Sequence, residues 1–368
     1  MKLLFFLVLP LFVFSNNSFS STADTIPAND SFIEYTGRID FSNPLAPRFS
    51  YPGISIRTYF KGSGIYAILD DEYGQNYFNI ILDDSLISVI KADSGKHSYL
   101  LAKNLKNTIH QLEIFKRTEN MFGKITFYGF IVNQGSLVEL KNKRTRLIEF
   151  IGNSITCGYG NEGKLGEKFG ASTENQFMTY AAITARNFNA RQLAVCKSGI
   201  GIYRNYNGPA IGNYDCMPNF YQRIFLYDSL PVYDFKQKPD LICIDLGTND
   251  FSTNGGDSAK YVNGYLRFID TIQRKYQRPD ILILLGPMLK DNDLIRVRKY
   301  LKFISAAANE KNAGNVYLFE MSQQTGNLGF GVDYHPTVAQ HKKNAAELTD
   351  FISKLMGWPV EKQIQMFP

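Results

Sequence analysis

The hydrophobic pattern changes its period near the middle of the chain, so the two halves cannot belong to one layer of one fold. Short aromatic and β-branched runs recur from Ile33 to about Val138, among them residues 54–60, 65–69, 77–82 and 111–115. Turn sequences such as Lys61-Gly62-Ser63-Gly64, Asp70-Asp71-Glu72-Tyr73-Gly74 and Asp83-Asp84-Ser85 separate them, with no long amphipathic helix between. That spacing predicts an all-β, jelly-roll-like sandwich. After the basic join at residues 141–146, apolar runs at 147–151, 192–196, 241–246, 281–285 and 316–319 alternate with helical patterns over 175–188, 258–276, 294–309 and 338–356. Strand and helix in alternation predict an α/β fold, a parallel sheet between two helix layers. The expected division is 1–22 as an export signal, 25–143 as the sandwich and 146–358 as the three-layer α/β/α domain.

The export signal is read from the apolar run at residues 3–14, which follows Lys2 and precedes a stretch of small polar residues. About a dozen apolar residues are too few for a bilayer, which needs roughly 20. No later segment is long and apolar enough to span one, so the expectation is an exported protein with no membrane attachment once the signal is removed. Without Lys2 there remain 39 basic and 34 acidic residues (40 − 1 against 34), a formal +5, with no run of five like charges. A balance so mild and dispersed gives no electrostatic footprint for nucleic acid or for a membrane surface. The four cysteines, Cys157, Cys196, Cys216 and Cys243, permit disulfides in an exported chain, but Cys196 and Cys243 sit in apolar runs and read as buried free thiols. There is no CxxC, no HExxH and no histidine cluster, so no metal site is expected. Nothing in the pattern specifies an oligomeric state.

Chemistry is most concentrated in residues 147–160, LIEFIGNSITCGYG. An apolar strand ends at Gly152, and Ser154 follows in the turn, where an open α/β sheet has its ligand crevice. An ordinary βα turn would use the same residue types. Later element ends add Ser198-Gly199-Ile200-Gly201, Gly247-Thr248-Asn249-Asp250 and Asp333-Tyr334-His335-Pro336. The last precedes a helix whose Thr337 and Gln340 match a capping box and whose Leu348, Phe351, Ile352 and Leu355 recur at helical spacing, which tethers His335 to a docked element. His341, beside Lys342 and Lys343, reads as solvated.

A serine hydroxyl needs a base within hydrogen-bond reach and donors for the oxyanion it generates. Ser154 and His335 can form the first pair. The Ser154 N–H, the Gly199 N–H and the Asn249 side-chain amide can form the hole, with Gly201 competing for the second position; Asx-turn or flexible-loop roles are open for Asn249 and the glycines. Asp333 can accept from His335 Nδ1 as a triad acid does, while Asp240, Asp245 and Asp250 have competing turn, cap or surface roles.

The four blocks in order, Gly152-Asn153-Ser154-Ile155, Ser198-Gly199, Gly247-Thr248-Asn249-Asp250 and Asp333-Tyr334-His335-Pro336, resemble the SGNH or GDSL-type hydrolases. Two departures stand out: Asn153 occupies a position usually held by aspartate, and Asp333 is two residues rather than three before the histidine. A Ser154–His335 dyad steered by the Tyr334 backbone carbonyl is therefore an alternative to a triad. The two-domain plan, with Arg57-Thr58-Tyr59-Phe60-Lys61-Gly62 and Lys116-Arg117-Thr118-Glu119 in the first half, resembles carbohydrate esterase family 2 in particular. That resemblance implies a serine esterase acting without a cofactor to remove acetyl groups from xylan, mannan or glucan, often at the primary 6-hydroxyl. Rival readings are a carbohydrate-binding protein with a degenerate hydrolase domain and an esterase of acyl lipids.

Overall fold

The structure, a computed structural model, describes residues 25–139, 143–253, 255–312 and 315–361; the expected export signal lies outside them. Two antiparallel sheets form the N-terminal half. In one, Ile125–Asn133 is flanked by Ile26–Pro27 and Gly64–Asp71, with Gly95–Ala102 beyond. In the other, Ser55–Lys61 pairs with Ile109–Lys116, followed by Tyr77–Leu82 and Ser85–Lys91. Alternate residues such as Ala67, Leu69 and Phe127 from the first sheet and Ile56, Ile80 and Ile114 from the second are buried in one core, as a sandwich requires.

The C-terminal half is built on a five-stranded parallel sheet in the order Arg191–Cys196, Leu147–Gly152, Leu241–Asp245, Asp280–Leu285, Val316–Glu320. These are the five strands the apolar runs predict. Its two faces separate by parity. Ile148, Phe150, Leu241, Cys243, Leu282 and Leu284 pack with helices Tyr180–Asn187 and Val338–Met356, whereas Ile151, Ile242, Ile244, Ile281 and Ile283 face helices Ser258–Tyr276 and Asp291–Asn312. The chain turns back at its first strand, which lies between the second and the third, so the crevice above that strand's carboxyl end is the switch point where such sheets bind ligands.

Two expectations need correction in detail. The helix expected over 175–188 is broken: Gln176–Met178 is a 3-10 turn, and Thr179 then caps a separate helix by accepting from the Ala182 N–H. His341 is not solvated. It is 1% exposed, and its Nδ1 faces the Tyr180 N–H at 3.2 Å. All four cysteines are buried and free. Among the described residues no helix is long and apolar enough to cross a membrane.

Candidate active site

Ser154 opens a single helical turn, Ser154–Cys157, directly after the first strand of the parallel sheet. Asn153 caps that turn: its Oδ1 accepts from the Ile155 N–H at 2.9 Å, and its Nδ2 donates to the Asp245 carbonyl at 3.2 Å. An aspartate would keep the cap and lose the second bond, so the amide ties the serine turn to the neighbouring strand end. Gly158 then ends the turn in the left-handed region, with φ 85°.

His335 arrives on a loop pressed against this turn. The Val332 N–H donates to the Gly160 carbonyl at 3.1 Å and the Gly331 N–H to the His335 carbonyl at 2.8 Å. A Cβ on Gly160 would lie 2.5 Å from that of Val332, so the approach requires glycine. Within the loop Asp333 and Tyr334 both adopt positive φ, 49° and 62°, which costs non-glycine residues of order 1–3 kcal/mol each and clusters at functional sites. The bend aims the imidazole at the serine: His335 Nε2 lies 2.9 Å from Ser154 Oγ.

The Nδ1 partner differs from both expectations. It is the Val332 carbonyl, at 3.1 Å. Asp333 instead accepts from the Tyr159 hydroxyl at 2.7 Å, and the Tyr334 carbonyl accepts from Gln324 Nε2 at 2.7 Å. With the aspartate one residue closer to the histidine, the left-handed bend turns its side chain outward and leaves the carbonyl of residue 332 beneath the ring. Nδ1–H donating to that carbonyl leaves Nε2 as the acceptor for the serine proton. Burial lowers the His335 pKa from its ordinary value, against the Val332 hydrogen bond and the Asp333 charge, which raise it. The ring also packs on Tyr159, 4.3 Å between centroids, and Tyr159 stacks in turn on Phe169 at 3.6 Å.

The candidate oxyanion donors meet at the same cleft. Ser154, Gly199, Asn249, Asp333 and His335 all line a cavity of about 760 Å³ with Tyr159, Ser198, Tyr206, Thr248, Ser252, Tyr334 and residues 288–293. The Ser154 N–H is in the first turn of its helix and has no intrahelical acceptor. The Gly199 N–H has no protein acceptor among the described residues, and Gly199 sits at φ +77°. Gly201 is not its equal: its N–H donates to Asn205 Oδ1 at 3.1 Å, and a Cβ there would meet the Arg204 carbonyl at 2.0 Å. Asn249 Nδ2 donates to the Ile200 carbonyl at 2.8 Å, leaving the second N–H of the amide for a ligand. Asp250, buried, accepts from the N–H groups of Ile202, Tyr203 and Arg204 and so braces the loop after Gly199; burial raises its pKa to about 6 against these bonds. Asp245 is buried and its pKa is pushed up to about 7, and Asp240 caps the start of the sheet by accepting from the Leu147 N–H at 2.8 Å. Neither touches His335.

One group among the described residues has metal-like spacing: Glu119, Cys157 and Glu174, ligand atoms within 4.8 Å and all buried. The buried ammonium of Lys116 already supplies positive charge there, its pKa lowered by burial to about 8 and supported by Glu174 and Glu119.

Tyr159, Phe169 and the Val332 carbonyl were not legible as site groups, the first two because aromatic residues abound in the chain and the third because a carbonyl has no sequence signature. Residues 35–139 match the model of the carbohydrate esterase 2 N-terminal domain, and residues 150–343 match the GDSL-like lipase/acylhydrolase family. The chain is 37% identical over 328 residues to the cellulase/esterase CelE of Acetivibrio thermocellus, covering 89% of this chain and 40% of that protein. It thus spans about two fifths of that relative's length. An acetylxylan esterase / glucomannan deacetylase of Cellvibrio japonicus is 29% identical over 347 residues, 94% of each chain. Among solved structures, a family two carbohydrate esterase from Clostridium thermocellum in complex with cellohexaose superposes with a TM-score of 0.85 at 35% identity, over 89% of this chain and 99% of that one. A second, from Cellvibrio japonicus, gives 0.82 at 28% identity, over 91% and 98%. With a matching domain model on either side of the join and one continuous superposition across both, this chain belongs to carbohydrate esterase family 2.

Proposed function

We propose that this protein is an exported serine esterase that removes O-acetyl groups from polysaccharides or oligosaccharides of the xylan, mannan or glucan type. The observation that carries the reading is the 2.9 Å contact between His335 Nε2 and Ser154 Oγ at the floor of an open cleft, with Nδ1 held by a backbone carbonyl. In this reading Ser154 Oγ attacks the acetyl carbonyl as its proton passes to Nε2, and the tetrahedral oxyanion takes the N–H groups of Ser154, Gly199 and Asn249. His335 then returns the proton to the departing sugar oxygen, and water, activated by the same imidazole, releases acetate from the acyl-serine. The Asp333 carboxylate acts on the imidazole through its charge and through the Tyr159 ring that it holds, at one remove. The degenerate-domain alternative loses its motivation, because Asn153 and the displaced Asp333 leave the Ser154–His335 geometry intact. The names of the relatives, which act on acetylated xylan and glucomannan, support the substrate class.

The test is acetate release from acetylated xylan, glucomannan and cello-oligosaccharides, with p-nitrophenyl acetate as a generic ester and Ser154→Ala as control. Release abolished in the variant while its fold is retained is the expected result. Glycan binding without any acetate release by the wild type, or release surviving Ser154→Ala, would reject the reading.

A further inference from the structure

The oxyanion loop is held by the other domain. Glu119 follows the Ile109–Lys116 strand of the sandwich and is 1% exposed. Its Oε2 accepts from the Ser198 N–H at 2.8 Å, one residue before Gly199. The same oxygen receives the Cys157 thiol at 3.8 Å, three residues after Ser154. A single carboxyl oxygen thus bridges the nucleophile turn and the oxyanion loop. The next residue repeats the grip: Asn120 Nδ2 donates to the Cys196 carbonyl at 2.9 Å.

The group making this bridge is itself fixed. The Glu119 N–H donates to Glu174 Oε2 at 2.8 Å, and Arg117 Nε donates to the Glu174 carbonyl at 3.2 Å. Burial and the adjacent Glu119 raise the Glu174 pKa well above the usual carboxyl range. Glycine at 199, with φ +77° and only the Tyr206 Cβ, at 3.8 Å, near its would-be Cβ, has no side chain of its own to define its position. The Tyr206 N–H holds its carbonyl at 2.8 Å, and the bond from Glu119 to the Ser198 N–H pins the peptide on its other side, before the N–H that faces the oxyanion.

We propose that Glu119 is a positioning residue for the oxyanion hole, so that the sandwich domain completes the catalytic site rather than serving as a separate module. This inference rests on the serine-esterase reading above. A donor displaced by about 1 Å costs on the order of 10²-fold in rate, and loss of one oxyanion donor costs about 10² to 10³. The oxyanion forms only in the transition state, so the loss falls on kcat rather than on KM.

The experiment measures kcat and KM with p-nitrophenyl acetate and an acetylated glycan, together with inhibition by methylboronic acid. Its trigonal boron takes the Ser154 Oγ lone pair while the hydroxyl proton passes to His335, giving a tetrahedral anion that needs the hole. Glu119→Ala is expected to lower kcat by ~10- to 100-fold with KM changed less than about threefold, and to weaken boronate binding by a similar factor. Glu119→Gln should restore both to within about threefold, because its amide oxygen still accepts from Ser198 and its N–H₂ can face Glu174. Should Glu119→Ala fail to fold, Glu119→Asp, which withdraws the acceptor by one methylene, carries the same expectation. Normal kcat and boronate affinity in the folded Ala or Asp variant overturns the proposal, as does a loss in Glu119→Gln as deep as in Glu119→Ala. Ser154→Ala runs alongside. Hydrolysis surviving there defeats the esterase reading itself, whereas hydrolysis lost there and untouched in Glu119→Ala defeats this inference alone.

Discussion

His335 sits between a hydroxyl on one side and a backbone carbonyl on the other, and that arrangement sets what its neighbours can contribute. The carbonyl of Val332 orients the ring without charge, and the Asp333 carboxylate, bonded to the Tyr159 hydroxyl, lends a charge without a hydrogen bond of its own to the ring. Asp333→Asn should therefore lower kcat less than about tenfold, against the roughly 10⁴ lost when a triad aspartate is neutralised; a drop of that larger size would make Asp333 a full triad member. The sign of the pH dependence follows from the same environment. Burial lowers the His335 pKa below its ordinary 6.5, so the base form persists into mildly acidic solution and the acid limb of kcat/KM should fall below that value. Removing the Asp333 charge withdraws support for the imidazolium, and the limb should move lower still. A limb above 6.5, or one that rises in Asp333→Asn, contradicts the assignment of causes. Ser154, Gly199 and Asn249 were legible in the sequence because each follows an apolar strand run, and His335 because it lies just before a capped amphipathic helix. The Nδ1 partner was not, because two left-handed residues decide which oxygen lies under the ring, and aspartate and tyrosine give no sign of that conformation.

At the scale of elements, the serine turn and the last helix show how local pattern and packing divide the work. Asn153 caps the turn and also donates to the Asp245 carbonyl. Asn153→Asp, the residue usual in the wider superfamily, should leave that buried carbonyl without its donor and cost about 1–3 kcal/mol, read as a lower melting temperature; unchanged stability would show the tie to be dispensable. In helix Val338–Met356 the buried face runs through His341, Ala345, Leu348 and Ile352. That is the four-three-four spacing of an apolar stripe, so the burial of His341 was written in its position and hidden by the lysines beside it. Burial lowers its pKa to about 3, so in this fold it stays neutral where an unfolded chain would protonate it. The stability it protects is full above its ordinary 6.5 and is lost as pH falls from there toward 3, at about 1.4 kcal/mol per pH unit. His341→Gln should flatten the fall in melting temperature between pH 7 and 5, and an unchanged slope would place the acid lability elsewhere.

At the scale of the molecule, the two halves share one interior. Ile54, Phe127 and Phe130 of the sandwich belong to the same apolar cluster as Ile151, Ile244 and Tyr221 of the α/β half. Through it runs a buried ion pair: Arg38, 1% exposed, meets Glu149, fully buried on the first strand of the parallel sheet, at 2.9 Å. Tyr221 donates its hydroxyl to the other Glu149 oxygen at 2.8 Å, and the guanidinium lies 4.4 Å from the Tyr233 ring centroid. The alternating pattern could not announce this pair, since Arg38 and Glu149 are 111 positions apart and charged residues are read as surface. Breaking such a pair from one side leaves an uncompensated charge and costs about 3–5 kcal/mol, while replacing both partners by apolar groups is often near neutral. Arg38→Met should therefore be strongly destabilising, and the double variant with Glu149→Leu should recover much of the loss. The continuous core adds a further expectation: both halves should unfold together. Trp358, the chain's one tryptophan, packs on Phe188 within the α/β half, so its fluorescence follows that half while far-UV circular dichroism follows both. Coincident urea transitions by the two probes, shifted together by Arg38→Met, are the expected outcome. A sandwich that melts apart from a still-folded Trp358 environment would mean that the shared core and its ion pair do not couple the domains.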